Sequence, residues 1–198
     1  QVATPEGYAR NPELVINFYN ERRKQLLEVR PNDGHLGLAE LEADFNVTVV
    51  TQNIDNLHER AGSRRIIHLH GELTKVCSSR DPYNPHYIKE LKPDEYEVKF
   101  GDKAGDGTQL RPFIVWFGEP VPEIETAVNY VEKADIFVII GTSMNVYPAA
   151  GLLNYVPREA EVYLIDPKPV DVHSMRRIHV IQKGASEGVR ELRSLLQP

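Results

Sequence analysis

Three short aliphatic runs, at 46–50, 65–69 and 135–140, each stop abruptly in a polar cluster: Thr51-Gln52-Asn53-Ile54-Asp55, His70-Gly71 and Gly141-Thr142-Ser143. Runs that are β-branched but poorly alternating mark strands buried on both faces of a parallel sheet. Parallel strands need long, usually helical, crossovers, so this one feature points the chain to the α/β class. In open sheets of that class, ligands bind outside the carboxyl ends of the strands. Any one of these clusters alone reads as a capped strand end or a turn. Three strands delivering polar groups to one edge read as a nucleotide or small-molecule site.

The intervening segments carry helical signals. Asn11-Pro12 is an N-cap followed by proline in the first turn, and the helix is expected to run to about Glu28. Its apolar stripe reads as Leu14, Val15, Phe18 and Leu26, with Arg22 on the stripe and Arg23 and Lys24 off it. A second helix is expected at 35–45 after the turn Pro31-Asn32-Asp33-Gly34, and a short one at 55–61. Residues 72–111 change character. Asp81-Pro82, Asn84-Pro85, Pro93, Gly101, Gly105 and Gly107, with little periodicity, predict an inserted lobe with few regular elements. Alternation then resumes: strand 113–116, helix 123–132, strand 135–140, a helix near Pro148, strands 162–165 and 179–182, and helix 186–196. Strands alternating with helices predict a doubly wound parallel sheet with a smaller inserted lobe.

Composition removes several function classes. A length of 198 residues suits one domain, or one domain with a lobe inserted. A net charge of −6 and a pI near 5.7 leave no basic excess for nucleic acid. No apolar run reaches the length of a membrane span, and no signal peptide or Arg-rich presequence is visible. Cys77 is the only cysteine, which excludes an internal disulfide and fits a reducing, cytoplasmic compartment. Residue 1 is Gln and the only methionines are Met144 and Met175, so the chain reads as a fragment of something longer.

In order and spacing, Thr51-Gln52-Asn53-Ile54-Asp55, His70-Gly71, Val115-Trp116-Phe117-Gly118-Glu119 and Gly141-Thr142-Ser143 resemble the sirtuin family, the NAD-dependent protein lysine deacylases, over nearly all of the chain. The resemblance implies a Rossmann-like NAD-binding domain at 46–72 and 112–198, and a small lobe at 1–45 and 73–111. An acyl-lysine peptide would lie between the two. The family's first strand and Gly-Ala-Gly phosphate loop would precede Gln1, so residues 1–198 are expected to lack the amides that cradle the pyrophosphate. Most relatives bind structural zinc through two Cys-x-x-Cys pairs. Cys77 has no such partners and His86 is distant, so no zinc is expected. The lobe should then hold by packing, with Tyr83, Tyr87, Leu91 and Tyr96 as contributors.

The resemblance also implies a mechanism. The acyl oxygen attacks C1′ of the nicotinamide ribose, nicotinamide leaves, and a base activates the ribose 2′-hydroxyl against the imidate carbon. Water then yields free lysine and O-acyl-ADP-ribose. His70 is the expected base, since imidazole titrates near working pH; outside these motifs it would read as a strand-capping histidine. His68 shares its face but has no implied role and reads as structural. Asn53 and Asp55 should face nicotinamide and Gln52 the ribose, while Asp55 also suits the N-cap of helix 55–61. Gly141, Thr142 and Ser143 should meet phosphate and ribose oxygens. Asp166 stands where Rossmann sheets place a ribose-binding acid, and Ala185 where the family lines the adenine. Val115, Phe117, Gly118 and Glu119 on one side, and Asn145, Val146 and Tyr147 on the other, are expected to hold the peptide by strand addition.

Tyr19-Asn20-Glu21-Arg22 matches the Tyr-x-x-Arg pair by which class III sirtuins read the carboxylate of malonyl-, succinyl- or glutaryl-lysine. The alternative for Arg22 is an internal ion pair with Glu40 or Asp44. The leading expectation is an NAD-dependent deacylase that prefers acidic acyl groups and tolerates acetyl. Mono-ADP-ribosyl transfer and a non-catalytic NAD-sensing protein are the other readings.

Overall fold

The computed structural model describes residues 2–142, 149–170 and 176–197. Its first half carries α1 (Pro5–Arg10), α2 (Pro12–Glu28), α3 (Asp33–Glu40), β1 (Val49–Thr51), α4 (Leu57–Ala61), β2 (Ile66–His68), β3 (Gly71–Ser78) and β4 (Lys89–Glu90). Then come β5 (Leu110–Ile114), α5 (Ile124–Val131), β6 (Ile136–Ile140), a 3-10 segment Ala149–Tyr155, β7 (Glu161–Ile165), β8 (Ile178–Ile181) and α6 (Ala185–Leu196). Among the described residues no helix is long and apolar enough to cross a membrane. The chain divides into two compact units.

The unit formed by Pro31–Val50, Leu57–Ile67 and Glu123–Pro198 holds the parallel sheet. β6, β7 and β8 pair in that order, Ile136 opposite Glu161 and Val162 opposite Ile178. β1 and β2 pair separately. Val49 N–H donates to the Arg65 carbonyl at 2.9 Å and Leu69 N–H to the Thr51 carbonyl at 3.0 Å; the numbers rise together, as in a parallel pair. Leu41, Tyr163, Ile165, Ile181, Val189 and Leu192 form the buried cluster, and Leu38, Phe45, Val47 and Val138 pack against it. The fold is the expected α/β, Rossmann-like one. Residues 31–45 sit in this unit, not in the lobe where the sequence placed them.

The other unit, Gln1–Arg30, Thr51–Asn56 and His68–Pro122, differs more from expectation. It begins with α1, a helix the sequence reading did not include, started by Thr4, whose hydroxyl accepts from Gly7 N–H at 2.9 Å. Residues 72–111 are not irregular. They carry the greater part of an antiparallel sheet of order β4-β3-β5. Two features hid it. The ladder shifts register between Gly71 and Val76, which breaks the period-two pattern that would have marked β3. Pro112 lies inside β5, where a missing N–H is tolerable because β5 is an edge strand. The strand expected at 113–116 is therefore Leu110–Ile114, and it belongs to this sheet and not to the parallel one.

α2 packs on β3 and β5, and its buried line is Val15, Ile16, Tyr19, Arg23 and Leu26. Leu14 is 56% exposed, Arg22 is exposed and Arg23 is only 3% exposed: Val15 and Leu26 hold their expected places, while Tyr19 and Arg23, one residue on, take those expected of Phe18 and Arg22. The Arg23 guanidinium donates to the carbonyls of Tyr96 (2.8 Å) and Leu73 (3.3 Å) and to Asn20 Oδ1 (2.8 Å). Burial lowers its pKa to about 10, which leaves it charged at neutral pH. Asn20 accepts from Val98 N–H at 2.9 Å and donates to the Val98 carbonyl at 2.8 Å. At the far end of β3, Ser78 Oγ donates to Asp106 at 2.5 Å and meets Thr108 Oγ1 at 3.0 Å. Those hydroxyls hold the Asp106 carboxyl below its ordinary range.

The expected aromatic packing is a smaller part of the lobe. Leu91 joins the cluster of Ile16, Val76 and Val98, but Tyr96 contributes its carbonyl to Arg23 and Tyr83 stands edge-on to Phe113 at 6.4 Å. Arg23→Met should keep the aliphatic stem and strand two inward carbonyls. A loss of about 1–3 kcal/mol is expected, read as a lower urea midpoint at unchanged slope; an unchanged midpoint would contradict this account of the lobe.

Candidate functional site

In the antiparallel unit, the polar cluster after β1 is held from its backbone. Thr51 Oγ1 accepts from Asn53 N–H at 3.0 Å, His68 Nδ1 lies 3.0 Å from the Asn53 carbonyl, and Leu73 N–H donates to the Ile54 carbonyl at 2.8 Å. These contacts leave the Asn53 side chain exposed, with Gln52 and Asp55 half-buried beside it. α4 begins at Leu57, so the position before its first turn belongs to Asn56 and not to Asp55. His68 is buried and supports the Asn53 loop, as its structural reading anticipated.

His70 follows β2 in the turn to β3, half-buried. Its carbonyl accepts from Val115 N–H at 2.9 Å, which ties it to the segment after β5. Among the described residues nothing hydrogen-bonds its imidazole. Gly71 is required beside it: φ is +87°, and a Cβ there would stand 2.1 Å from the Phe113 carbonyl oxygen. The two strands touch where the histidine is presented.

Beyond β5, residues 115–119 divide between outside and inside. Phe117 is 79% exposed and Gly118 is exposed, whereas Trp116 is 2% exposed. The Phe117 N–H donates to the Ala3 carbonyl at 2.9 Å. The Glu119 side chain points inward. Its carboxylate receives Arg111 Nη1 and Nη2, each at 3.0 Å, and Trp116 N–H at 2.8 Å. Arg111 Cζ lies 3.8 Å from the Trp116 ring centroid. Burial raises the Glu119 pKa, but the hydrogen bonds of Arg111 and Trp116 outweigh it and hold the carboxyl below its ordinary value. The side chain turns inward because Arg111 is buried and its charge is matched there by the carboxylate.

Tyr19 and Arg22 lie in different surroundings. Tyr19 is buried, and its hydroxyl accepts from Trp116 Nε1 at 3.1 Å. Arg22 is exposed, lies 5.0 Å above the Phe18 ring and donates one N–H to Gln25 Oε1 at 3.1 Å. Within its own unit, among the described residues, no carboxylate pairs with Arg22; in the other unit Glu40 pairs with Arg193.

In the parallel unit, the expected cofactor residues stand at carboxyl ends of strands. Gly141 follows β6 with φ +59°, and among the described residues nothing lies within 4 Å of where a Cβ would be. Thr142 is half-buried beside it. Asp166 follows β7, and one of its carboxylate oxygens accepts from Lys168 N–H at 2.8 Å. Ala185 opens α6, half-buried after Gly184. Strand-end backbone and a carboxylate are the chemistry a dinucleotide's ribose and phosphate require. Ser143, Asn145, Val146 and Tyr147 lie outside the described residues. Sequence reasoning missed that Arg111 and Trp116 bond to the candidate residues Glu119 and Tyr19. Trp116 was within a quoted motif, but nothing in sequence showed that its indole meets Tyr19.

Comparison with known proteins shows similarity in both sequence and fold. The Sir2 family model matches residues 1–148. An NAD-dependent protein deacylase of Bacteroides thetaiotaomicron is 84% identical over 198 residues, 100% of this chain and 85% of that protein. The solved complex of a Sir2 homolog with NAD superposes with a TM-score of 0.81 at 34% identity, covering 99% of this chain and 78% of that one. A Sir2 structure with p53 peptide and NAD+ gives 0.76 at 26% identity, covering 96% and 80%.

Glu119→Gln should cost about 3 kcal/mol at pH 7, because it leaves the Arg111 charge buried without an anion. A depressed carboxyl stabilises the fold above its unfolded pKa, near 4.5, and that stability is lost as pH falls through the folded value. The difference between wild type and variant in urea unfolding should therefore shrink on going from pH 7 to pH 3.5. A constant difference would show that the ion pair is not its source.

Proposed function

The chain belongs to the Sir2 family, and from that premise we propose an NAD-dependent protein lysine deacylase that prefers lysines carrying a short acidic acyl group. The deacylase activity and the use of NAD are those of the family; the acyl preference and the residue roles are our reading. NAD supplies an activated C1′ carbon, nicotinamide as leaving group, and the ADP-ribose that carries the acyl group away. Gln52, Asn53 and Asp55 take its nicotinamide riboside end. Gly141, Thr142, Ser143, Asp166 and Ala185 take its phosphate and adenosine end. The His70 imidazole takes the proton from the ribose 2′-hydroxyl.

One observation supports this reading most. The His70 carbonyl is bonded to Val115 N–H, so the base is in register with the segment that receives the peptide. Val115, Phe117 and Gly118 would offer that segment's backbone, and Val146 and Tyr147 the opposite side. The Glu119 side chain, already bonded to Arg111, holds the turn and does not bind substrate. A peptide-bound relative makes a protein lysine the natural partner.

The acidic-acyl preference rests on Tyr19 and Arg22. Arg22 is exposed, and only one of its N–H groups is given to a described residue. A charge-assisted hydrogen bond from it is worth roughly 1.5–3 kcal/mol, about ten- to a hundredfold in selectivity.

We also read the lobe as free of zinc. Cys77 is the only cysteine of the sequence, it is buried, and its Sγ lies 3.8 Å from the Pro112 carbonyl, so a second thiolate ligand is lacking. Elemental analysis should find no stoichiometric zinc, and chelators should leave Tm unchanged; one zinc per chain would refute this. Cys77 also underlies our placement of the enzyme in the cytoplasm.

Activity is tested by mass spectrometry with NAD and acetyl-, succinyl- and malonyl-lysine peptides. In the complete enzyme, His70→Ala should abolish O-acyl-ADP-ribose while calorimetry still shows NAD binding. Tyr19→Phe/Arg22→Met should lower the succinyl-to-acetyl ratio of kcat/KM about ten- to a hundredfold. An unchanged ratio would make the enzyme a general deacetylase. ADP-ribosylated acceptor in place of O-acyl-ADP-ribose would indicate mono-ADP-ribosyl transfer, and binding without NAD consumption a sensing protein.

A further inference from the structure

Tyr19 and Trp116 present an asymmetry that the acyl-reading role of Tyr19 does not by itself explain. An indole N–H can only donate, so in the 3.1 Å contact the Tyr19 hydroxyl must be the acceptor. The phenol's own proton is then committed to a direction away from Trp116. The acceptor it finds is the Val2 carbonyl at 3.5 Å, well beyond the 2.7–2.8 Å typical of O–H···O bonds. A donor this loosely held gives up little when a better acceptor arrives.

The rest of the neighbourhood fixes the indole. One face meets the Arg111 guanidinium at 3.8 Å, and Tyr8 packs at 5.3 Å between ring centroids. Trp116 N–H donates to Glu119 at 2.8 Å, so backbone and side chain are both anchored. The Tyr19 ring stands edge-on to Phe18 at 5.1 Å, and Phe18 carries Arg22 above its face. Burial raises the pKa of Tyr19 against the lowering effects of Trp116 and Arg111, so the phenol remains a neutral donor.

We propose that Trp116 is a specificity-determining positioning residue: its indole N–H occupies the acceptor side of the Tyr19 hydroxyl and so directs the phenolic proton to the carboxylate of an acidic acyl group. This rests on the proposed acyl-reading role of Tyr19 and Arg22. Without the indole, the hydroxyl can rotate and its proton is no longer aimed. A carboxylate, which only accepts, loses by that rotation, whereas an acetyl group has no carboxylate to lose.

The test is a cycle in the complete enzyme. The ratio of kcat/KM for succinyl- and acetyl-lysine peptides at saturating NAD is measured for wild type, Trp116→Phe, Tyr19→Phe, their combination, and Arg22→Met. Trp116→Phe should lower the ratio three- to tenfold, the scale of one neutral hydrogen bond. In the Tyr19→Phe background the same change should do nothing further, since its effect passes through the hydroxyl. An unchanged ratio in Trp116→Phe, with a lowered ratio in Arg22→Met, would overturn the proposal and leave the acidic-acyl reading intact. An unchanged ratio in Arg22→Met would overturn that reading itself. An equal drop with and without the Tyr19 hydroxyl would show that Trp116 acts through packing, and would also overturn the proposal. If phenylalanine leaves too large a hole for folding, site-specific replacement of the indole by benzothiophene removes the N–H and keeps the fused ring, with the same outcomes.

Discussion

The Arg111–Glu119 ion pair under the Trp116 ring is the interaction on which the turn after β5 depends. Two buried charges cost several kcal/mol each to desolvate, and attraction repays that only when geometry is good and the remaining donors are satisfied. Here they are. Arg111 gives two parallel N–H bonds to the carboxylate, a third to the Ile114 carbonyl at 2.8 Å and a longer one to the Pro112 carbonyl at 3.4 Å, with the indole over its face. Glu119 returns an acceptor to Trp116 N–H. The chain after β5 is thereby forced to double back. With Trp116 and Glu119 held inward, Phe117 is the residue presented outward.

Arg23 solves a different problem by different means. It is as buried as Arg111, yet its described partners are carbonyls and an amide oxygen, not a carboxylate. Neutral acceptors repay less of the desolvation cost than an anion does, and its lowered pKa records the shortfall. The return is geometric: one side chain of α2 fixes Leu73 in β3 and Tyr96 in the loop after β4, while Asn20, one turn earlier, fixes Val98. A sheet with a single thiol is thus pinned to a helix by directional bonds.

The parts of the fold that were legible in sequence are those in which local pattern and tertiary role coincide. β6 is a continuous apolar run and β7 is one beyond Glu161, with Val162–Ile165 buried throughout, and the polar residues that end them are at strand ends in the structure. β3 was not legible, because its register shift places Val76, Cys77 and Ser78 consecutively inside and Pro112 argues against a strand opposite. The α2 stripe was partly misplaced for a related reason. A search for apolar residues prefers Leu14 and Phe18, but amphipathic Tyr19 and Arg23 take the buried line by burying their stems and bonding their tips. In the proposed site, His70 and Asn53 come from the motifs alone. The inward turn of Glu119 could not be read from them, since it depends on Arg111 lying across the sheet from Cys77.

On the proposed reading, the two donors that meet an acyl carboxylate have complementary physics. Arg22 is exposed, so its attraction acts over a distance and weakens with salt, over a Debye length of about 8 Å at physiological ionic strength. Tyr19 is buried and neutral, so it adds no long-range attraction, but its bond forms where water competes least. An exposed charge alone would favour any anion. A buried hydroxyl alone would accept any hydrogen-bond acceptor of the right size. Selectivity for a carboxylate at one distance from the lysine needs both, and it needs the hydroxyl's direction fixed. That requirement links the acyl group to Trp116, and through Trp116 to the Arg111–Glu119 pair that shapes the peptide-facing turn.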